Sequence, residues 1–265
     1  MTDYDANGTA YEVTGPPGAP ALVLIHGLGL TRQTWDDFIP VLSQDYRVIS
    51  YDLWGHGQTA LPPKETSLSL LSDQLVALLD HLQISAAHLV GFSLGGMINR
   101  RVAMDHPDKI LSLVILNSPH ERTPEAQEQV EQRAKDTSDG GAAATIEATL
   151  QRWFTDAYRA NNRDKVDWVR QTVLANHRDN YVAHRFVLAN GVVELIRPHP
   201  AISAPSLVIT CENDTGSTPA MSQAITDEIT HAEIVIIPHL QHLGLLEDPQ
   251  AFLGPITGFL GLLSA

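Results

Sequence analysis

The chain is poor in cysteine and in positive charge, and it has no long apolar run. One cysteine in 265 residues, Cys211, rules out an internal disulfide and suits a reducing compartment, so a cytoplasmic location is expected. Seventeen Lys and Arg against 31 Asp and Glu leave a net charge of −14, a surface field that repels nucleic acid phosphates and anionic lipid. No uncharged stretch is long enough to cross a bilayer, and residues 1–10 lack the basic and apolar regions of a secretory signal. Nucleic acid and membrane are therefore not expected partners; a small molecule is, and a homodimer is compatible with the sequence. Two absences bear on cofactors. The glycines of His26-Gly27-Leu28-Gly29 follow an apolar run, but Arg32 stands where a dinucleotide fingerprint needs its third glycine, and no glycine-rich GK[ST] loop occurs. His26, His56 and His242 have no metal-ligand spacing, so neither cofactor nor metal is expected.

Present instead are short apolar runs at residues 21–25, 46–51, 87–92, 111–116, 206–211 and 233–237, separated by longer helical patterns. Runs without polar alternation read as strands of a parallel sheet covered on both faces, which is α/β architecture. Leu68, Leu71, Leu75, Leu78, Leu79 and Leu82 recur at helical spacing behind the cap residue Ser67, and Asp248-Pro249 opens a final helix with one apolar face. From about residue 120 to 200 strand signals vanish, and helical patterns follow at 124–135, 142–154, 165–175 and 181–189. This segment is expected to be a helical cap inserted into a core formed by residues 1–119 and 201–265. Residues 119–200 hold 11 basic and 12 acidic side chains, so nearly all the net negative charge lies elsewhere. The insertion's basic groups either solvate exposed helix faces or offer an anion its least repulsive approach.

Gly91-Phe92-Ser93-Leu94-Gly95, between an apolar run and the amphipathic residues 97–104, is the most informative motif. Glycine at both second neighbours permits a strand-to-helix turn tight enough to expose the Ser93 hydroxyl. A serine nucleophile needs an imidazole to accept its proton and a carboxylate to orient that imidazole. In a doubly wound sheet these partners arrive on loops at the carboxyl ends of later strands. Asp214, in the polar loop after residues 206–211, is the expected acid; Asn117 occupies the other candidate strand end and cannot supply the charge. His242 is the expected base, with His239 the less favoured choice nearer its strand. An oxyanion needs two donors, expected from the backbone N–H groups of Leu94 and Leu28. His26 and the loop Asp52-Leu53-Trp54-Gly55-His56-Gly57 read as scaffold, and Cys211 as a core residue.

Taken together, His26-Gly27-Leu28-Gly29, residues 52–57, residues 91–97, Asp214 and His242 resemble the α/β-hydrolase superfamily over the whole length. Within it, Arg152-Trp153-Phe154-Thr155 with Tyr158-Arg159 is similar to a segment of the 3-oxoadipate enol-lactonase group. The resemblance implies an α/β-hydrolase fold, a mostly parallel sheet with helices on both faces and an inserted helical cap. It also implies a cofactor-free serine hydrolase that opens a small ester or lactone through an acyl-serine. The sequence departs from that group in its His-Gly-Leu-Gly loop, in Trp54 where arginine is frequent, and in Gln241 before the base histidine. Three substrate contacts are expected: Trp153 as a pocket wall or an anchor of the cap's own core, Arg152 as a partner for a substrate carboxylate, and Trp54 as a pocket wall or a packing residue. Carbon–carbon bond hydrolysis, perhydrolysis or haloperoxidation, and a non-enzymatic ligand receptor are the alternatives on the same scaffold.

Overall fold

A computed structural model describes residues 1–263. Eight strands, β1 (Asp3–Tyr4), β2 (Ala10–Thr14), β3 (Ala21–Ile25), β4 (Arg47–Tyr51), β5 (Ala87–Phe92), β6 (Ile110–Leu116), β7 (Ser206–Cys211) and β8 (Ala232–Ile237), form one sheet in the order β1-β2-β4-β3-β5-β6-β7-β8. From β4 to β8 every pairing is parallel, while β1 and β2 run antiparallel at one edge. The central strands β3, β5 and β7 are buried along their whole length, which is why they lack polar alternation. The edge pair escaped the sequence reading for the opposite reason. In Ala-Tyr-Glu-Val-Thr of β2 burial fades along the strand, so no continuous apolar run marks it.

The helices are α1 (Ile39–Leu42), α2 (Leu68–His81), α3 (Leu94–Asp105), α4 (Pro124–Gly140), α5 (Ile146–Trp153), α6 (Asp156–Asn161), α7 (Arg163–Leu174), α8 (Arg178–Asn190), α9 (Pro219–Glu228), α10 (Gly244–Glu247) and α11 (Pro249–Leu263). Ser67 caps α2 by accepting from the N–H of Leu70, as its position implied, and Asp248 accepts from Ala251 N–H ahead of α11. No described helix is long and apolar enough to cross a membrane.

Between β6 and β7 the described chain is helical, in agreement with the break in pattern, with two local differences. The segment expected as one helix over 142–154 divides into a 3₁₀ turn, Gly141–Ala144, and α5, and the short α6 follows behind its own cap, Thr155. Helix α4 runs to Gly140 rather than ending near 135. Thr137 and Ser138 accommodate there by donating their hydroxyls to the carbonyls of Arg133 and Ala134.

Candidate active site

Close approach, rather than turn propensity, explains the glycines around Ser93. A Cβ on Gly91 would lie 2.2 Å from the carbonyl oxygen of Gly95, and one on Gly95 would lie 2.2 Å from that of Ile25. With both spaces empty, β5 can pass directly into α3, and Ser93 takes φ 54° and ψ −110°, a left-handed conformation costing of order 1–3 kcal/mol. Surrounding bonds hold it there. Ser93 N–H donates to Leu116 O at 2.8 Å, and Ser118 Oγ donates to Ser93 O at 3.0 Å. Beneath, the buried Arg100 donates to Gly96 O, Ser118 Oγ and Pro119 O, tying the first turn of α3 to the end of β6.

Three sequence-distant side chains meet at this turn. Ser93 Oγ lies 3.2 Å from His242 Nε2, and His242 Nδ1 lies 2.6 Å from Asp214 Oδ2. An ionised carboxylate only accepts, so the ring proton sits on Nδ1 and Nε2 is free to accept from the serine hydroxyl. Asp214 is fully enclosed and its acceptor sites are filled. Oδ1 takes the N–H groups of Gly216 and Ser217, at 2.8 and 2.9 Å, and Oδ2 takes Asn117 Nδ2, at 2.9 Å, beside His242. Burial pushes its pKa up, but His242 and these hydrogen bonds outweigh that and hold the carboxyl below its usual range. Asn117 is thus a donor to the acid. The sequence reading considered it only as a failed acid. His239 is outside this assembly, with its side chain 89% exposed beside Glu212. Cys211 is buried, and burial pushes its thiol up to about 12.

Leu28, beside Ser93 at the cavity wall, lies in a loop whose internal bonds use other groups. Leu30 N–H donates to Gly27 O and Gly29 N–H to His56 Nε2, leaving Leu28 N–H without an acceptor among the described residues. Leu94 begins α3, so its N–H has no intrahelical partner. His26 is scaffold: it holds Gly27 O through Nδ1 and accepts Leu53 N–H through Nε2. Asp52 organises the neighbouring loop through the guanidinium and N–H of Arg32 and the N–H of Gln58.

Above Ser93 opens a narrow cavity of about 70 Å³, lined on one side by Leu28, Phe92, Asp214 and His242 and on the other by the insertion. Trp153 and Arg152 are both in its wall, and the Trp153 ring centroid lies 6.0 Å from that of His242. Trp54 is not. The tight turn closed by Gly55 N–H to Ala60 O and His56 N–H to Leu53 O sends its indole to a separate depression with Leu61, Leu70 and Gln74. Arg122, Arg133 and Arg185 join Arg152 in the cavity wall, none of them singled out by sequence. Burial lowers the pKa of Arg152 to about 10, with Arg133 and Arg185 adding repulsion. Other insertion cations do solvate helix faces: Arg159, Arg170 and Arg197 pair with Asp156, Glu147 and Glu121 at the surface.

A strained serine turn at the carboxyl end of β5, hydrogen-bonded to an imidazole and through it to a carboxylate on later loops, defines the class. The chain belongs to the alpha/beta hydrolase fold family, whose model matches residues 20–249, and it is a hydrolase of that fold. More particularly, it is 30% identical over 247 residues, 92% of this chain and 91% of the relative, to (E)-2-((N-methylformamido)methylene)succinate hydrolase of Acinetobacter baylyi. It is 29% identical over 243 residues to 3-oxoadipate enol-lactonase 2 of the same organism, covering 91% and 89% of the two chains. The crystal structure of the enol-lactonase from Burkholderia xenovorans LB400 superposes with a TM-score of 0.89 at 28% identity, covering 98% of this chain and 100% of that one.

Proposed function

We propose that the protein hydrolyses a small carboxylic ester or lactone through an acyl-serine intermediate. The observation that carries this reading is the unbroken chain of hydrogen bonds from Ser93 Oγ through His242 to Asp214. Ser93 Oγ attacks the carbonyl carbon while His242 Nε2 takes its proton. Asp214 keeps the imidazole in the required tautomer and stabilises its cationic form. The N–H groups of Leu28 and Leu94 receive the negative charge that develops on the carbonyl oxygen, each such donor being worth about 10²- to 10³-fold in rate. His242 returns the proton to the leaving oxygen, which in a lactone stays attached as a hydroxyl. It then takes a proton from water as that water attacks the acyl-serine, releasing the acid and restoring Ser93.

In this reading residues 120–200 act as a cap over a core of residues 1–119 and 201–265. Arg152 offers its guanidinium to a carboxylate on the acyl part, and Trp153 forms the apolar wall beside the base. Ser93→Ala is expected to abolish turnover of p-nitrophenyl acetate and labelling by a fluorophosphonate. Retention of either would remove Ser93 from the reaction. Sustained turnover by the wild type, in place of a single slow cycle, separates the enzyme from a ligand receptor on the same scaffold.

A further inference from the structure

The cavity holds more positive charge than one carboxylate can use. Arg133 of α4, Arg152 of α5 and Arg185 of α8 all line it. None has a carboxylate within ion-pair distance among the described residues. Among the described residues the only side-chain acceptor of the three is Thr149 Oγ1, 3.3 Å from Arg152. Their surroundings are partly dry: Arg185 is 8% exposed, and Arg133 and Arg152 are half-buried. Arg133 is depressed by burial and then by the charge of Arg185, and Arg152 by burial and then by the charges of Arg133 and Arg185. Three guanidiniums brought together without counter-charge oppose folding, because desolvation and mutual repulsion act in the same direction.

The surface arginines of the same insertion show that pairing was available. Arg170 reaches Glu147 and Asp167, and Arg197 holds Glu121. Arg122, the fourth arginine of the wall, is already occupied by Gln127 Oε1 and the carbonyls of Leu188 and Ala189. Across the cavity the only carboxylate among the described residues is Asp214, whose acceptor sites are filled by its own partners. A substrate with one carboxylate would therefore leave two of the three free guanidiniums uncompensated.

We propose that the acyl part of the substrate carries two negative charges, one seated by Arg152 beside the reacting carbonyl and the second by Arg133 and Arg185 deeper in the insertion. This rests on the reading of Ser93 as nucleophile and goes beyond it by fixing the charge of the acid that is released. The three cations project from three different helices, which suits two carboxylates spread along a short chain. A single phosphonate dianion offers the same charge in compact form, and the test distinguishes the two.

The test compares kcat/KM for methyl butyrate, monomethyl glutarate and the terminal monomethyl ester of tricarballylate at mildly alkaline pH, with Ser93 labelling by a fluorophosphonate as a parallel readout. Wild type is expected to gain at both charge steps. The second step should be roughly 10- to 100-fold, carried by KM, as befits charge-assisted hydrogen bonds from guanidinium to carboxylate. In Arg133→Gln and Arg185→Gln the ratio between the doubly and singly charged esters is expected to fall by about tenfold or more. Arg185→Lys, which keeps the charge and loses the planar fork, should keep part of it. A larger gain with the methyl ester of a phosphonobutyrate than with the tricarballylate ester would assign the compact dianion; the reverse assigns two carboxylates. Variants that still label at Ser93 are folded at the site. Equal kcat/KM for the singly and doubly charged esters in a wild type that labels normally would overturn the second charge and leave the hydrolase standing. Failure of wild-type Ser93 to label would overturn both.

Discussion

The sheet-bearing body and the helical insertion solve opposite electrostatic problems. In the body, the buried charged groups around the serine turn are well supplied with partners: Asp214 with four donors, Arg100 with three acceptors, Asp52 with Arg32 and Gln58. In the insertion, three arginines line the cavity with no carboxylate at ion-pair distance among the described residues. Net charge divides the same way, with almost all of the −14 outside residues 119–200. A saturated network fixes the reacting atoms, while an unsaturated one leaves binding energy for a ligand to claim. In the proposed reading reactivity and selection fall to separate stretches of chain, so substitutions in each should fail differently.

The sharpest break comes from the body. Asp214→Asn keeps the side chain's shape but replaces an acceptor by an amide, so the His242 ring is free to take the other tautomer and present Nε2–H to Ser93. The expected loss in kcat is about 10⁴-fold, with KM for neutral esters little changed. Burst and steady-state kinetics on p-nitrophenyl acetate check it, and a loss confined to charged esters would show that the division between body and insertion is misplaced.

A smaller effect is expected where the two regions meet. His56 of the body packs against His26 at a tilt and against His184 of α8 edge-on, with ring centroids 5.3 and 4.7 Å apart, all three fully buried. Burial keeps each ring neutral, against the backbone carbonyls that face Nδ1 and favour the charged form. His56 Nδ1 faces Trp54 O, His184 Nδ1 faces Asn180 O, and His184 Nε2 has no partner. Burial lowers His184 to about 4 and depresses His26 and His56 as well. The unfolded chain therefore binds protons first as pH falls below about 6.5, so stability is lost between that value and about 4, and is constant with respect to this group above it. For His184 alone this amounts to about 3 kcal/mol. Chemical denaturation at neutral and mildly acidic pH should show the decline, and His184→Phe, which keeps a ring against His56, should make it shallower. An unchanged slope in that variant would place the acid sensitivity elsewhere.

Much of the body was legible because its chemistry is local in sequence. The β5-to-α3 turn announces itself through Gly91 and Gly95, and strands buried on both faces betray themselves by lacking alternation. Asp214 and His242 could be chosen from their place after β7 and β8. What stayed hidden depends on contacts between distant segments. Asn117 donates to Asp214 across 97 positions, and Arg133 and Arg185 gain their meaning from sharing one cavity, which helical periodicity cannot reveal. Trp54 shows how a local turn decides between two readings. Its loop, residues 52–57, left a pocket wall and a packing role both open, and one tight turn carries the side chain away from the cavity to a separate depression.

The smallest expected effect asks whether the insertion also steadies the base. The loop carrying His242 is tied to it at three points: Leu243 N–H donates to Trp153 O at 2.9 Å, Tyr158 Oη to Leu246 O at 3.0 Å, and Glu247 accepts both the N–H and the hydroxyl of Thr155 at 2.7 Å. The last pair is charge-assisted and caps the entry to α6, so Glu247→Ala strips two half-buried donors of their acceptor. The expected cost is about 1–3 kcal/mol, read as a fall in Tm of roughly 2–4 °C per kcal/mol for a chain of this size. If the tie also aligns His242, kcat for neutral esters should fall several-fold while fluorophosphonate still labels Ser93, because misplacing a base slows proton transfer without removing the nucleophile. An unchanged kcat with a lowered Tm would make the tie purely structural, leaving the insertion to act on the substrate alone.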